Sequence, residues 1–144
     1  MRFHEFLLRV RELAEARLPA DAPRLRGRLR PSLIQLYRHD PRLHYEVWIQ
    51  RKTGRIEVGL HFEGEREANY RWAEVLGRRA LELRARLGPS VELEEWTRSW
   101  VRLHQTVRLR KLDDGLADEV AELLALFIQV MEPILAEEAA RVSG

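Results

Sequence analysis

The sequence predicts an α+β protein with a single antiparallel sheet and helices packed on one face of it. Three observations predict it. From His44 to Glu63 apolar residues alternate with polar ones in two runs around Thr53-Gly54, the pattern of a half-buried hairpin. After Gly64 the apolar period changes from two to about 3.6. Beyond Asp113 a long segment is apolar on more than one side, as in a helix that is sandwiched or partnered.

In chain order, Phe3, Phe6, Leu7, Val10, Leu13, Ala14 and Leu18 fall at helical spacing, and Pro19 ends the helix. Pro19–Pro23 reads as a linker. Arg24, Arg26, Arg28 and Arg30 would share one side of an extended arm. Ser32 to Arg38 is a first strand, and His39-Asp40-Pro41 turns into the hairpin. With Thr53 and Gly54 as the loop, Ile49 meets Val58, Val47 meets Leu60 and Tyr45 meets Phe62 on the apolar face. The polar face then pairs His44 with Glu63, Glu46 with His61, Trp48 with Gly59 and Gln50 with Glu57. Ala68, Trp72, Val75, Leu76, Ala80, Leu83 and Leu87 give one helix over 65–87, closed by Gly88-Pro89. Residues 90–98 suit either a short strand or a helix face. Trp100 to Arg110 alternates, with Val101, Leu103, Val107 and Leu109 inward and Trp100, Arg102, His104, Thr106, Arg108 and Arg110 outward. Asp113-Asp114-Gly115 caps the last helix, and Pro133 should kink it or end its first segment.

At 144 residues, 45% hydrophobic and 33% charged, one domain over 1–144 with its own core is expected. Without cysteine there is no disulfide, thiolate nucleophile or Cys-ligated metal. No signal-peptide pattern opens the chain, and the run Leu123–Met131 is too short for a bilayer, so a soluble, cytoplasmic protein without membrane contact is expected. Of 25 basic residues only Lys52 and Lys111 are lysines, and the net charge of +2 hides an asymmetry: +5 over 1–38, +4 over 95–111, −7 over 112–144.

Three groups of residues could carry chemistry. His44, Glu46, His61 and Glu63 lie at neighbouring cross-strand positions, within roughly 5–8 Å at Cβ. Two imidazoles with carboxylates can ligate a metal. No short ligand spacing such as H-E-x-x-H supports one, so solvated His–Glu pairs are expected and neither metal nor cofactor is assigned. Trp48 would shield Gly59 or, with Trp100, Arg102 and His104, form an aromatic and charged platform on the outer face. The basic stretches Arg24/Arg26/Arg28/Arg30 and Arg98/Arg102/Arg108/Arg110/Lys111 could follow a phosphate backbone. The acidic C-terminal segment could equally neutralise them.

The order helix, three strands, helix, one or two strands, helix resembles that of the type III secretion chaperone-like fold, a family of dimeric adaptors. The likeness lies in element order and carries over no residue. The same order invites comparison with the PD-(D/E)xK nuclease core, which needs a lysine two residues after a strand acid. Glu46-Val47-Trp48 and Glu57-Val58-Gly59 both lack it. No phosphate-binding, dinucleotide or nucleophile-elbow motif is present. The expected function is a non-enzymatic, homodimeric protein- or peptide-interaction module, supported by the over-apolar last helix and the Trp-bearing outer face of the sheet. A nucleic-acid-binding accessory protein acting through the arginine arm and strand 100–111 is the alternative, and a metal-dependent or small-molecule enzyme the third reading.

Overall fold

The alternating runs of the sequence become the centre of a sheet. In the computed structural model, which describes residues 1–143, β3 (Leu43–Gln50) and β4 (Arg55–Phe62) pair antiparallel along their whole length. Around them lie β1 (Arg26–Leu29), β2 (Leu33–Tyr37), β5 (Glu92–Glu95) and β6 (Val101–Arg108). The result is one six-stranded antiparallel sheet in the order β1-β2-β3-β4-β6-β5. Four helices, α1 (Phe3–Arg17), α2 (Arg66–Gly77), α3 (Ala80–Leu87) and α4 (Asp114–Ser143), pack on it, which is the expected α+β class.

The inner face carries the apolar parity that the sequence assigned to it: Tyr45, Val47, Ile49, Ile56, Val58, Leu60, Phe62, Val101 and Leu103 are all buried. Ile34 and Leu36 settle the parity of β2. The register differs from the expected one by two residues. Ile49 pairs with Ile56, Val47 with Val58 and Tyr45 with Leu60, so Trp48 faces Glu57, not Gly59, and His44 faces His61. The loop is Arg51–Gly54, four residues rather than two. Gly54 takes a positive φ of 68° at its end, and its N–H donates to the Arg51 carbonyl at 3.2 Å. A shift of two residues keeps every side chain on its face, which is why the face assignment survives the error.

Other corrections follow from partners remote in sequence. The arginine arm is not a free arm: residues 26–29 pair with β2 as an exposed edge strand. Charged side chains blunt such an edge against further pairing. The ambiguous stretch 90–98 holds β5, the opposite edge. The helix expected over 65–87 is two. Gly77 ends α2, and Arg79 leaves helical geometry (φ −104°, ψ 17°) to reach Glu137 at 2.9 Å and Glu138 at 3.5 Å on α4.

α4 runs unbroken through Pro133, where a kink or a break was expected. Asp113 caps it, its Oδ1 accepting the Leu116 N–H at 2.9 Å. The helix contacts β3 and β4 on one side and α1, α2 and α3 on others. Its apolar surplus is thereby buried within its own chain, and Leu126, off the main stripe, packs partly buried against the core. No helix among the described residues is long and apolar enough to cross a membrane.

Candidate functional site

The face of the sheet turned away from the helices is built in rows that the register fixes. One row runs His44, His61, Arg102, Glu94 across β3, β4, β6 and β5. The next runs Gln35, Glu46, Gly59, His104, Glu92. A third places Trp48 beside Glu57 and Thr106. At the centre, Gly59 lets β6 come close: a Cβ there would stand 2.8 Å from His104 Cα, inside van der Waals contact.

Contrary to the solvated pairs expected from the sequence, these polar groups are buried. His44, Glu46, Glu57 and His61 are each at most 4% exposed, and His104 is buried. Burial of this kind demands partners, and for His44, Glu46, Glu57 and His61 the cluster supplies them. His61 Nε2 meets Glu57 Oε2 at 2.6 Å, and its Nδ1 meets Glu63 Oε2 at 3.2 Å. His44 Nδ1 meets the Pro41 carbonyl oxygen at 2.8 Å, and its Nε2 meets Glu46 Oε1 at 3.1 Å. Gln35 donates to the same Glu46 oxygen at 3.3 Å. Arg102 bonds Glu57 and, at 2.7 Å, Glu94.

Electrostatics follow from this packing. Burial alone would lower the His61 pKa, but the hydrogen bonds to Glu57 and Glu63 and the charge of Glu46 overcome it and raise the pKa to about 9. Burial raises the Glu57 carboxyl, yet its bond to His61 and the charges of His61, Arg102 and His104 hold it below the usual range. His104 moves down, through burial first and the neighbouring Arg102 second. Both of its ring nitrogens are buried without a hydrogen bond; Glu94 lies 3.2 Å from Nε2 but out of line.

An aromatic layer closes over the cluster. Thr97 Oγ1 accepts from the backbone N–H groups of Ser99 and Trp100, and the Trp96 backbone N–H donates to the Trp100 carbonyl at 3.1 Å, so the segment after β5 folds back on itself. Trp96 then stands edge-on to His61, with centroids 5.5 Å apart and planes at 77°. Trp48 and Trp100 flank it at 6.3 and 5.8 Å, and the Arg102 guanidinium lies 4.9 Å over its ring. Beside this layer opens a groove of about 530 Å³ between Trp48, Trp96, Phe3, Arg51, Lys52 and Arg102.

The structure therefore brings Trp48, His44, Glu46, His61, Glu63, Trp100, Arg102 and His104 together on one face. It adds Glu57 and Trp96, which the sequence reading passed over. Glu57 had the outward parity that could have flagged it, whereas Trp96 shared an apparent helical spacing with Leu93 and Trp100 that pointed elsewhere. The basic residues do not form one patch. Arg24, Arg26, Arg28 and Arg30 are exposed and form no ion pair among the described residues. Arg108 is exposed at the far end of β6, Arg110 pairs with Glu119 of α4 at 2.6 Å, and Arg102 is committed to the cluster. Among the described residues two groups bring metal-type donors within 4.8 Å of one another: His44, Glu46, His61 and Glu63, and the more exposed Glu92, Glu94 and His104.

A second concavity of about 480 Å³ lies on the helix side, between Trp72, Phe62, Leu135 and the charged groups Arg38, Arg42 and Glu132. There Tyr45 Oη donates to Glu132 at 2.7 Å, and burial followed by the Glu132 charge pushes the phenol well above its ordinary value. Arg38 also reaches Glu132, and Arg42 closes on Asp40, so these charges are satisfied within the chain.

Comparison with protein families, curated proteins and solved structures gives no match. The resemblance in element order noted above thus assigns no role to any residue of the site.

Proposed function

We propose that this protein is a non-enzymatic recognition module that takes a protein or peptide segment along the helix-free face of its sheet. The observation that carries the reading is the groove beside Trp48 and Trp96. Its walls are aromatic, and its rim carries Arg51 and Lys52, basic residues with no acidic partner among the described residues. Aromatic side chains with an arginine are the usual anchors of interfaces, and a basic rim selects its partner by charge. The complementary segment carries apolar anchors and acidic flanks. A cytoplasmic setting is consistent with a chain that has no cysteine.

The homodimer reading draws on α4 and on the Trp-bearing outer face. The chain covers that helix itself, so the reading seats a different molecule in the groove. A nucleic-acid reading draws on Arg24, Arg26, Arg28 and Arg30, which are exposed at the β1 edge. One experiment separates the two. Selection from a displayed library of random peptides should enrich acidic sequences with apolar anchors, and Trp48→Ala should weaken their binding at least ~10-fold at unchanged melting temperature. Failure to enrich any peptide, together with oligonucleotide binding that falls steeply with salt and is lost in Arg26→Ala/Arg28→Ala, would favour the alternative.

A further inference from the structure

We propose that His44, Glu46, His61 and Glu63 bind one divalent transition-metal ion of the zinc type, held beneath Trp96. The proton positions of the two histidines carry the inference. His44 Nδ1 faces the Pro41 carbonyl oxygen at 2.8 Å. A carbonyl only accepts, so Nδ1 carries the proton. Nε2 then points a lone pair, or a second proton, at Glu46 Oε1 at 3.1 Å and Glu63 Oε2 at 3.8 Å. His61 repeats the arrangement in mirror form. Its Nε2 bonds Glu57 at 2.6 Å, and its Nδ1 turns to the same Glu63 oxygen at 3.2 Å. Each ring is thus fixed through one nitrogen by an outer oxygen while the other faces shared carboxylates. Metal-ligating histidines are oriented in this way, by a backbone carbonyl or a carboxylate on the far nitrogen.

Distances and charge agree with it. Donors ~2.0–2.2 Å from a zinc ion stand roughly 3.3–3.6 Å apart at the corners of a tetrahedron. His44 Nε2 stands 3.1 Å from Glu46 Oε1 and 3.8 Å from Glu63 Oε2, His61 Nδ1 stands 3.2 Å from the same Glu63 oxygen, and one donor atom from each of the four residues lies within 4.8 Å of the others. Glu46, Glu57 and Glu63 set three negative charges against the one of Arg102, leaving Glu94 at the more exposed rim. A divalent ion between the two imidazoles balances that excess. Nitrogen and oxygen donors suit zinc and its first-row neighbours rather than magnesium, and four protein ligands under an indole make a closed, structural centre. The ion would fix the floor beneath the groove, and the inference does not depend on what the groove binds.

The test strips the full-length protein with a chelator and titrates it with zinc, and separately with magnesium, following heat, released protons and melting temperature. One equivalent of zinc should bind near neutral pH with proton release and a rise in melting temperature, and magnesium should not. Glu63→Gln, at a partly exposed ligand, should weaken zinc at least ~100-fold, and Glu57→Gln, behind His61, about 10–100-fold. Glu92→Gln, in the other donor group, should leave it unchanged. Absence of stoichiometric zinc binding by the unaltered protein would overturn the proposal. So would zinc affinity that survives Glu63→Gln but falls with Glu92→Gln.

Discussion

His61 sits with no exposed surface among Glu57, Glu63 and Glu46, and its pKa of about 9 makes it a cation through the neutral range in the metal-free protein. The sign of the consequence is fixed by linkage. A histidine raised from 6.5 to about 9 contributes stability that is complete below about 6.5 and fades as pH rises through 9. Glu57, held below its ordinary value, acts in the opposite sense: its contribution is present above the unfolded carboxyl range and is lost as pH falls. With chelator present, urea unfolding should show a loss of about 3 kcal/mol from His61 between pH 6 and 10. The slope over that interval should shrink in His61→Gln. A stability that stays level from pH 6 to 10 would mean that His61 is neutral within the fold. The sequence made His61 visible as an outward residue of a strand. It could not show the depth, because the indole over it arrives from Trp96, beyond two helices and another strand.

At the scale of elements, parity and periodicity were legible and ends were not. Alternation assigned the faces of β3, β4 and β6, and helical spacing found α1, the stripe of α2 and α3, and α4. The hairpin register went astray because Thr53-Gly54 fits a two-residue loop as well as the end of a four-residue one. The break at Arg79 was not legible because the Glu137 and Glu138 that its side chain meets there lie on the last helix. Pro133 is the converse case. Proline removes the N–H that would bond the Gln129 carbonyl, yet α4 is anchored on both sides of it by buried residues from Met131 to Leu135. Both Pro133 and Gln129 are exposed, so water can serve the orphan carbonyl. Tertiary packing therefore holds a helix that local propensity disfavours. Pro133→Ala should raise stability, by up to about 3 kcal/mol, in urea unfolding. A loss would show that proline supplies a bend the packing needs.

Over the whole molecule, the charge asymmetry of the sequence becomes a division of labour. The acidic C-terminal segment meets arginines of the first helix, whose own charges balance, through Arg9–Asp114 at 3.4 Å and Arg17–Asp118 at 2.8 Å. Such exposed pairs contribute only ~0.2–1 kcal/mol each, so they orient α1 on α4 more than they stabilise it. The β1 arginines are left out of that arrangement and remain at the sheet edge. The two faces of the sheet differ accordingly. One is covered by the helices, and the other carries the buried His–Glu cluster and three of the four tryptophans, with the groove opening at its margin beside Phe3 of α1. The fourth, Trp72, lines the cleft on the helix side. The four indole N–H signals in a ¹⁵N-correlated NMR spectrum therefore report separately on the two candidate surfaces. On titration with a library-selected acidic peptide, the signals of Trp48, Trp96 and Trp100 should shift and that of Trp72 should stay in place. A shift of Trp72 with the other three unmoved would put recognition in the helix-side cleft and contradict the account.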